Sequence, residues 1–468
     1  MKDMTLTRRR LLAGMAAGAA MPALPRTLGA TAAAMPVLRT EELSARLLPP
    51  EYPETRLWSY AGRSPGPELR LAQGARLRRR LENRLPAATT VHWHGIRIDN
   101  AMDGVPGLTQ DAVPPGASFD YDFALPDAGT YWYHAHEKSY EQVARGLYGP
   151  LIVEEPDPPE VDREEVLVLD DWRVDPATGQ LAANFEMPHD RSHAGRIGNY
   201  ITTNGAQTLE LAARRHERLR LRLVNASNAR IFRLGLMGLE GWLMALDGMP
   251  LETPAPLTAT LTLAPAQRAD LIIDVIAEPG GEAFLVRQER DGGYAQAVFA
   301  VAGQAGAARR DAPGALPPNP VTALKAPGTA RRLMLHMEGG AMGGMQGAML
   351  NGRAADMREI AGANQFWAFN GMVGMPDAPL AELDRGEEVR VAIRNDTAFP
   401  HAMHVHGHHF REIGADGARG PWRDTLLVDR GETREIGFVA DNPGDWLFHC
   451  HMLAHAASGM MTWFRVTG

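Results

Sequence analysis

The chain has 468 residues, 45% of them hydrophobic, with 48 glycines, 34 prolines and a formal net charge of −8. That composition excludes an intrinsically disordered chain and leaves room for two to four domains. Frequent Gly and Pro between short apolar runs favour β-rich architecture, and the acidic balance gives no footing for nucleic acid or an anionic membrane surface as partner.

At the N-terminus, Arg8, Arg9 and Arg10 precede a mildly apolar run of small residues from Leu11 to about Leu24, and small-residue sites follow near Ala34. This is the layout of a signal peptide, and the twin arginine after Thr7 resembles the Tat export signal. The run is too short and too weakly apolar to span a bilayer. Residues 1–34 are therefore expected to be a removed Tat-type leader, with the Tat machinery as export partner and a periplasmic or otherwise exported mature chain. Losing them removes five cations (Lys2, Arg8, Arg9, Arg10, Arg26) and one anion (Asp3), which takes the net charge to about −12. Cys450 is the only cysteine, so no internal disulfide exists. A lone thiol in an oxidising compartment is a liability unless buried or coordinated, which makes Cys450 either an inert core residue or a ligand.

Further along, three alternating segments each end in asparagine: GARLRRRLEN (74–83), ERLRLRLVN (217–225) and GEEVRVAIRN (386–395). Alternation predicts half-buried strands, with the arginines of ARLRRRLENR (75–84) on a solvated face, and the spacing of Asn83, Asn225 and Asn395 predicts a domain-sized repeat. Nine and eleven residues after Asn83 stand His92 and His94; the same offsets from Asn395 reach His404 and His406, and from Asn225 they reach Leu234 and Leu236. A second strand repeats as well: GTYWYHAH (129–136) matches GDWLFHCH (444–451), while its middle counterpart GGEAFLVRQ (280–288) has no histidine. Three similar β-sandwich domains are expected, at 35–157, 163–304 and 328–468. The first and third carry metal ligands and the second is a spacer. EEPDPPE (154–160) and AGAARRDAPGALPPNP (305–320) read as linkers.

Side chains alternate faces along a strand, so both histidines of a His-x-His lie on one face, about 7 Å apart. Four such pairs occur, His92/His94, His134/His136, His404/His406 and His449/His451, which use eight of the 16 histidines. Imidazoles without carboxylate or thiolate among them favour copper, then zinc, and eight suit a cluster of three ions. On GDWLFHCH the Cys450 side chain points away from the face of His449 and His451 and so belongs to a second site. His455 and Met460 follow at intervals of five and His401 precedes the HVH pair. Cysteine, two histidines and a weakly bound methionine form the blue-copper electron-transfer set.

With HWHG, YWYHAH, HAMHVHG and HCHMLAHAASGM in this order and spacing, the sequence resembles the multicopper oxidases, the laccase-like three-domain proteins, over essentially its whole mature length. The resemblance implies an all-β chain of three cupredoxin-like Greek-key β-sandwiches holding four copper ions. It places the type 1 copper on His401, Cys450, His455 and axial Met460, and the type 2 copper on His92 and His404. The type 3 pair falls to His94, His134, His136, His406, His449 and His451. It further implies that single electrons from a small-molecule reductant enter at the type 1 site and pass through Cys450 to reduce O2 to water. Asp103, in NAMDGVPG, falls where the family places an acidic residue beside the cluster and is assigned a proton-relay or supporting role; the alternative is a turn aspartate before glycine. Relatives often have Glu after the second type 1 histidine, where this chain has Ala456, which puts one proton route in doubt. An axial Met460 implies a moderate-potential enzyme, with Met461 on the following strand and packed in the core.

The stretch LMLHMEGGAMGGMQGAML (333–350) is rich in methionine. Soft thioethers suit Cu(I), so Met342, Met345 and Met349, in a segment too glycine-rich for a core strand, are candidate cuprous-ion ligands, with Met372 and Met375 as possible additions; the alternative is a plain mobile loop. The remaining histidines (189, 193, 216, 336, 408, 409) read as structural or surface groups, the last two packed below HVHG. The function expected is a monomeric, laccase-like oxidase of phenolic or similar donors. Its close alternative is a cuprous oxidase for copper tolerance, and a non-enzymatic copper-binding or scaffold protein is disfavoured because all ten histidines and the cysteine are present.

Overall fold

The computed structural model describes residues 34–468 apart from 326, 327 and 329, so the leader reading lies, but for Ala34, outside the described residues. Apart from a two-stranded ribbon of Val174–Asp175 and Gln180–Leu181, the sheets of the described residues fall into three pairs along the chain. The first pair spans Val37 to Glu154 and the second Arg163 to Gln304. The third, from Arg331 to Thr467, includes a nine-stranded sheet. Each pair repeats one arrangement: its entering strand lies parallel to the strand that ends in the repeated asparagine. Val37–Ala45 runs beside Arg76–Asn83, Arg163–Trp172 beside Arg218–Asn225, and Arg331–Gly339 beside Glu388–Asn395. Among the described residues no helix is long and apolar enough to cross a membrane.

The asparagines recur because each closes the same corner. Asn83 donates from Nδ2 to the carbonyls of Ala87 and Val113 (both 2.8 Å) and accepts on Oδ1 from the Leu85 N–H. Asn225 repeats this with Arg230, Leu263 and Ser227, and Asn395 with Phe399, Val428 and Thr397. Only a short side-chain amide satisfies two backbone acceptors and one donor where the buried chain leaves its strand.

On Arg76–Asn83, Leu77 and Leu81 are fully buried while Arg76 and Arg80 pair outward with Asp122 and Asp120, which is the solvated face expected. The middle repeat departs from its half-buried reading. Arg220 and Arg222 alternate in the same way, yet both are buried against Glu155, Glu164 and Asp270. The first pair of sheets covers that face, so the arginines meet carboxylates instead of water. Burial alone would raise the Asp270 carboxyl, but Arg220 and then Arg222 outweigh it and hold it below its ordinary value. Its stabilising share is therefore complete at neutral pH and is lost as pH falls through that depressed value. Asp270→Asn removes one of the three carboxylates that these two buried guanidinium groups share, leaving Glu155 and Glu164, and is expected to lower unfolding free energy by about 3 kcal/mol. Denaturant unfolding at neutral pH measures this, and an unchanged midpoint would remove Asp270 from the stabilising network.

Candidate metal centre

Two strand pairs build the site, and they share one register. Val91–His94 runs antiparallel to Gly129–Ala135 with His92 opposite His134, and His401–Val405 runs antiparallel to Gly444–Cys450 with His404 opposite His449. The histidines of both pairs meet between the first and third sandwiches. His92, His404 and His406 form one close group, His136, His406 and His449 another, and ring centroids of His94, His134 and His451 lie 4.9–5.7 Å apart. In the middle sandwich the equivalent strand, Phe232–Met237, presents Leu234 and Leu236 opposite Arg287 and Leu285.

Outward hydrogen bonds fix which nitrogen faces the centre in six of the eight rings, those of His92, His94, His134, His404, His406 and His449. Nδ1 of His92, His134, His404 and His449 donates to the carbonyl of Asp103, Ala135, Asp424 and Cys450 respectively, at 2.8–3.0 Å. His406 Nδ1 donates to Asp103 Oδ2 at 2.8 Å. Each Nε2 therefore carries a lone pair inward. His406 Nε2 stands 3.1 Å from His449 Nε2, and His451 Nε2 3.4 Å from His134 Nε2; the buried Nε2 atoms of His92, His136 and His404 have no partner. His94 is reversed: its Nε2 donates to Asp424 Oδ1 at 3.3 Å and its Nδ1 is the partnerless atom. Lone pairs facing one another in a buried pocket repel unless cations lie between them, so this donor set fits metal ions. Burial, and after it the neighbouring imidazoles, hold His94, His134, His136, His406, His449 and His451 well below the ordinary imidazole value. They are neutral at pH 7, which is the ligating form.

The second group sits on the other face of the same strand. Cys450 Sγ lies 3.6 Å from His401 Nδ1 and 3.8 Å from His455 Nδ1, and the two nitrogens are 3.1 Å apart. Again the outer nitrogens are occupied: His401 Nε2 donates to Thr397 Oγ1 (2.7 Å) and His455 Nε2 to the His193 carbonyl (2.6 Å). Burial pushes the Cys450 thiol up to about 12 and the His455 imidazole down to about 4. A cation is what would favour the thiolate here. Met460 is fully buried beside this group; its N–H donates to the His455 carbonyl and its carbonyl accepts from Cys450 N–H. Gly459 precedes it with φ +124°, and a Cβ there would strike the Trp367 carbonyl, so the turn that delivers Met460 requires glycine. Trp367 packs over His455 with centroids 4.5 Å apart.

All twelve side chains assigned to metal, together with Asp103, thus lie in or against one buried assembly. The methionine trio does not converge. Met342 is 82% exposed, Met345 packs against the small cluster of Leu350, Ala355 and Ile360, and Met349 belongs to strand Gly347–Leu350. That strand pairs with Arg353–Asp356 and Met372–Val373, so the glycine-rich segment is more ordered than its composition implies. Met461 does begin the last strand but lines a cavity instead of packing in the core. Ala456 faces a cavity of about 180 Å³ bordered by His136, His449 and Glu137, and burial raises the Glu137 carboxyl.

Several contributors had no local signature in the sequence. Asp424 touches His94, His404 and His409, and although burial would raise its carboxyl, Arg268 and then His94 hold it well below the usual range. Thr397 and the His193 carbonyl orient the imidazoles next to Cys450. His408 and His409 are buried below HVHG as expected, each held at about 4 chiefly by burial. His189 and His193 stack at the surface, with centroids 4.0 Å apart.

A multicopper oxidase family model matches residues 44–158 and a second matches residues 351–468. Among solved structures, Lac15 from a marine microbial metagenome is 43% identical with a TM-score of 0.75, covering 92% of this chain and 100% of that one. A multi-copper oxidase from Pseudomonas thermotolerans is 34% identical with a TM-score of 0.80, covering 92% and 98%. Multicopper oxidase MmcO of Mycobacterium tuberculosis is 29% identical over 447 residues, 86% of this chain and 82% of its own. With ten converging imidazoles and one thiol, these likenesses define the class: a copper-dependent oxidoreductase with O2 as acceptor, built from cupredoxin-like sandwiches. The chain belongs to the multicopper oxidase family.

Proposed function

We propose that the chain is an exported, laccase-like multicopper oxidase that binds four copper ions and takes single electrons from phenols or similar small donors. In this reading His401, Cys450, His455 and Met460 hold the type 1 copper, His92 and His404 the type 2 copper, and the six other paired histidines the type 3 pair. The coppers supply one-electron acceptance from the donor and four-electron reduction of O2 to water. The chain's own groups do the rest. The Cys450 backbone joins the thiol group to His449 and His451, and this single connection carries the proposal, because a site that only stored metal would not need it. The imidazoles stay neutral in the dry pocket, Asp103 orients His92 and His406, and the His193 carbonyl fixes His455 where the donor approaches. Three domains at 35–157, 163–304 and 328–468 and a removed Tat-type leader complete the proposal; the mass of the mature N-terminus from a periplasmic fraction tests the leader. Oxygen uptake by copper-loaded enzyme with a dimethoxyphenol tests the activity: four donor molecules oxidised per O2 are expected, and donor oxidation without O2 consumption would overturn it.

A cuprous oxidase is the second reading, and one observation favours it. Met349, Met372, Met375 and Met461 line a single cavity of about 500 Å³, and Met461 adjoins Met460. Thioethers are soft ligands suited to Cu(I). Replacing Met372 and Met375 by leucine is expected to slow Cu(I) oxidation several-fold and to leave phenol oxidation unchanged; equal rates with Cu(I) would leave the phenol reading alone. A separate expectation concerns Met460→Leu, which removes the weak axial sulfur and should raise the type 1 potential. A redox titration that gives the wild-type potential would sink the axial assignment.

A further inference from the structure

The middle sandwich supplies none of the assigned copper ligands, yet one of its side chains reaches the histidine cluster. Arg268 opens the strand Arg268–Val275 and is fully buried. Its guanidinium clamps Asp424 of the third sandwich in a two-point fork, Nη1 to Oδ1 at 2.9 Å and Nη2 to Oδ2 at 2.5 Å. Nε donates at 3.2 Å to the carbonyl of Thr130, on the strand that carries His134 in the first sandwich. Nη1 also reaches the Ala266 carbonyl at 3.0 Å. One planar fork therefore ties all three sandwiches together with rigid geometry that an ammonium group does not reproduce.

The clamped carboxylate is not remote from the imidazoles. Asp424 Oδ1 accepts from His94 Nε2 and from Thr425 Oγ1, and the Asp424 carbonyl accepts from His404 Nδ1. The same middle-sandwich corner also fixes the backbone there: Gln267 Nε2 donates to the Thr425 carbonyl at 2.9 Å, and Asp247 accepts from the Thr425 and Arg268 N–H groups. Gly95 accounts for the glycine of HWHG. Its φ is +86°, and a Cβ at that point would collide with both Arg268 Nη2 and Asp424 Oδ2, so the chain leaves His94 through glycine because the fork occupies that space.

We propose that Arg268 is a positioning residue for the three-copper cluster: by holding Asp424 it sets the orientation of His94 and His404, so the middle sandwich is a working part of the oxygen-reducing site. This rests on the copper assignment proposed above. Removing the fork frees Asp424 to rotate and releases His94 Nε2, whereas His401, Cys450 and His455 have no bond to this network. Supporting groups of this kind typically change metal affinity or activity by about 10–100-fold.

Copper-loaded Arg268→Lys and Arg268→Gln variants test the proposal, with total copper, the blue type 1 absorption, the type 2 electron paramagnetic resonance spectrum and the rate of reoxidation by O2 as readouts. The expected result is a retained blue absorption and an unchanged rate of anaerobic type 1 reduction. The type 2 spectrum should be altered or lost in both variants, and reoxidation slowed at least tenfold, more in Gln than in Lys. Wild-type type 2 spectra and reoxidation in both variants would overturn the proposal. So would loss of the blue absorption together with the type 2 signal in the Lys variant, which would mark Arg268 as general support for the fold. A wild-type enzyme that binds copper but gives no type 2 signal would overturn the copper assignment itself, and this proposal with it.

Discussion

Cys450→Ser is expected to abolish the blue absorption, reduce bound copper from four ions to three, and bring donor oxidation below detection. Serine is close in size to cysteine and the position is fully buried, so the surrounding strands Gly444–Cys450 and His401–Val405 keep their pairing. The chemistry changes far more than the shape. A hydroxyl is a hard, protonated oxygen that offers copper little where His401 and His455 wait with facing lone pairs. Because Cys450 is also the covalent junction to His449 and His451, its loss would, under the copper assignment proposed above, remove both the electron acceptor and the route inward. The histidine cluster does not contact Sγ and should retain its type 2 signal. A variant that keeps the blue absorption, or that still consumes O2 with a phenol at a substantial fraction of the wild-type rate, would refute the role given to this residue.

The selectivity expected of that variant reflects how the site is encoded. The histidine pairs were legible because a strand has a period of two: His-x-His can only place both rings on one face, and Cys450 between two histidines can only face the other way. The repeat was legible because Asn83, Asn225 and Asn395 each close the same corner, a local task that fixes both residue type and spacing. Groups that orient the rings were not legible. Asp424 lies 18 positions beyond His406 and Arg268 lies in another sandwich; what links them is a contact made only after the three sandwiches assemble. The arginines of Arg218–Asn225 mislead for the same reason, since alternation reveals a strand but not what covers its polar face. The methionine segment misled in the opposite direction. Its glycines suggested a mobile loop, yet edge pairing orders Met349 and parts it from Met342. The exchange that leaves Ala456 where relatives often have Glu acquires a place but not a substitute: it opens onto the same small cavity as His136, His449 and Glu137.

Asp103 is, with Asp424, an acidic group in direct contact with the cluster, and its substitution should separate geometry from proton supply. Oδ2 accepts from His406 Nδ1 at 2.8 Å and Oδ1 lies 3.2 Å from His92 Nδ1, while the His92 ring is already held by the Asp103 backbone carbonyl. Oδ1 is buried without a full hydrogen-bond partner of its own, so one carboxylate oxygen is available to a proton in transit beside the imidazoles. Asp103→Asn keeps an oxygen for His406 and keeps the backbone carbonyl for His92, but its amide cannot gain and release a proton near neutral pH. Positioned acid–base groups typically contribute 10²–10⁴-fold, so reoxidation of the reduced enzyme by O2 should slow by at least about 10²-fold while type 1 reduction by the donor proceeds at its normal rate. Asp103→Ala also frees the His406 ring and should in addition alter the copper spectra, which Asn should leave close to wild type. Stopped-flow measurement of the two half-reactions distinguishes these results. If Asn reoxidises at the wild-type rate and Ala does not, Asp103 only orients His406, and the protons that complete water must enter by another path, with the Ala456 cavity and its Glu137 carboxyl the next place to look.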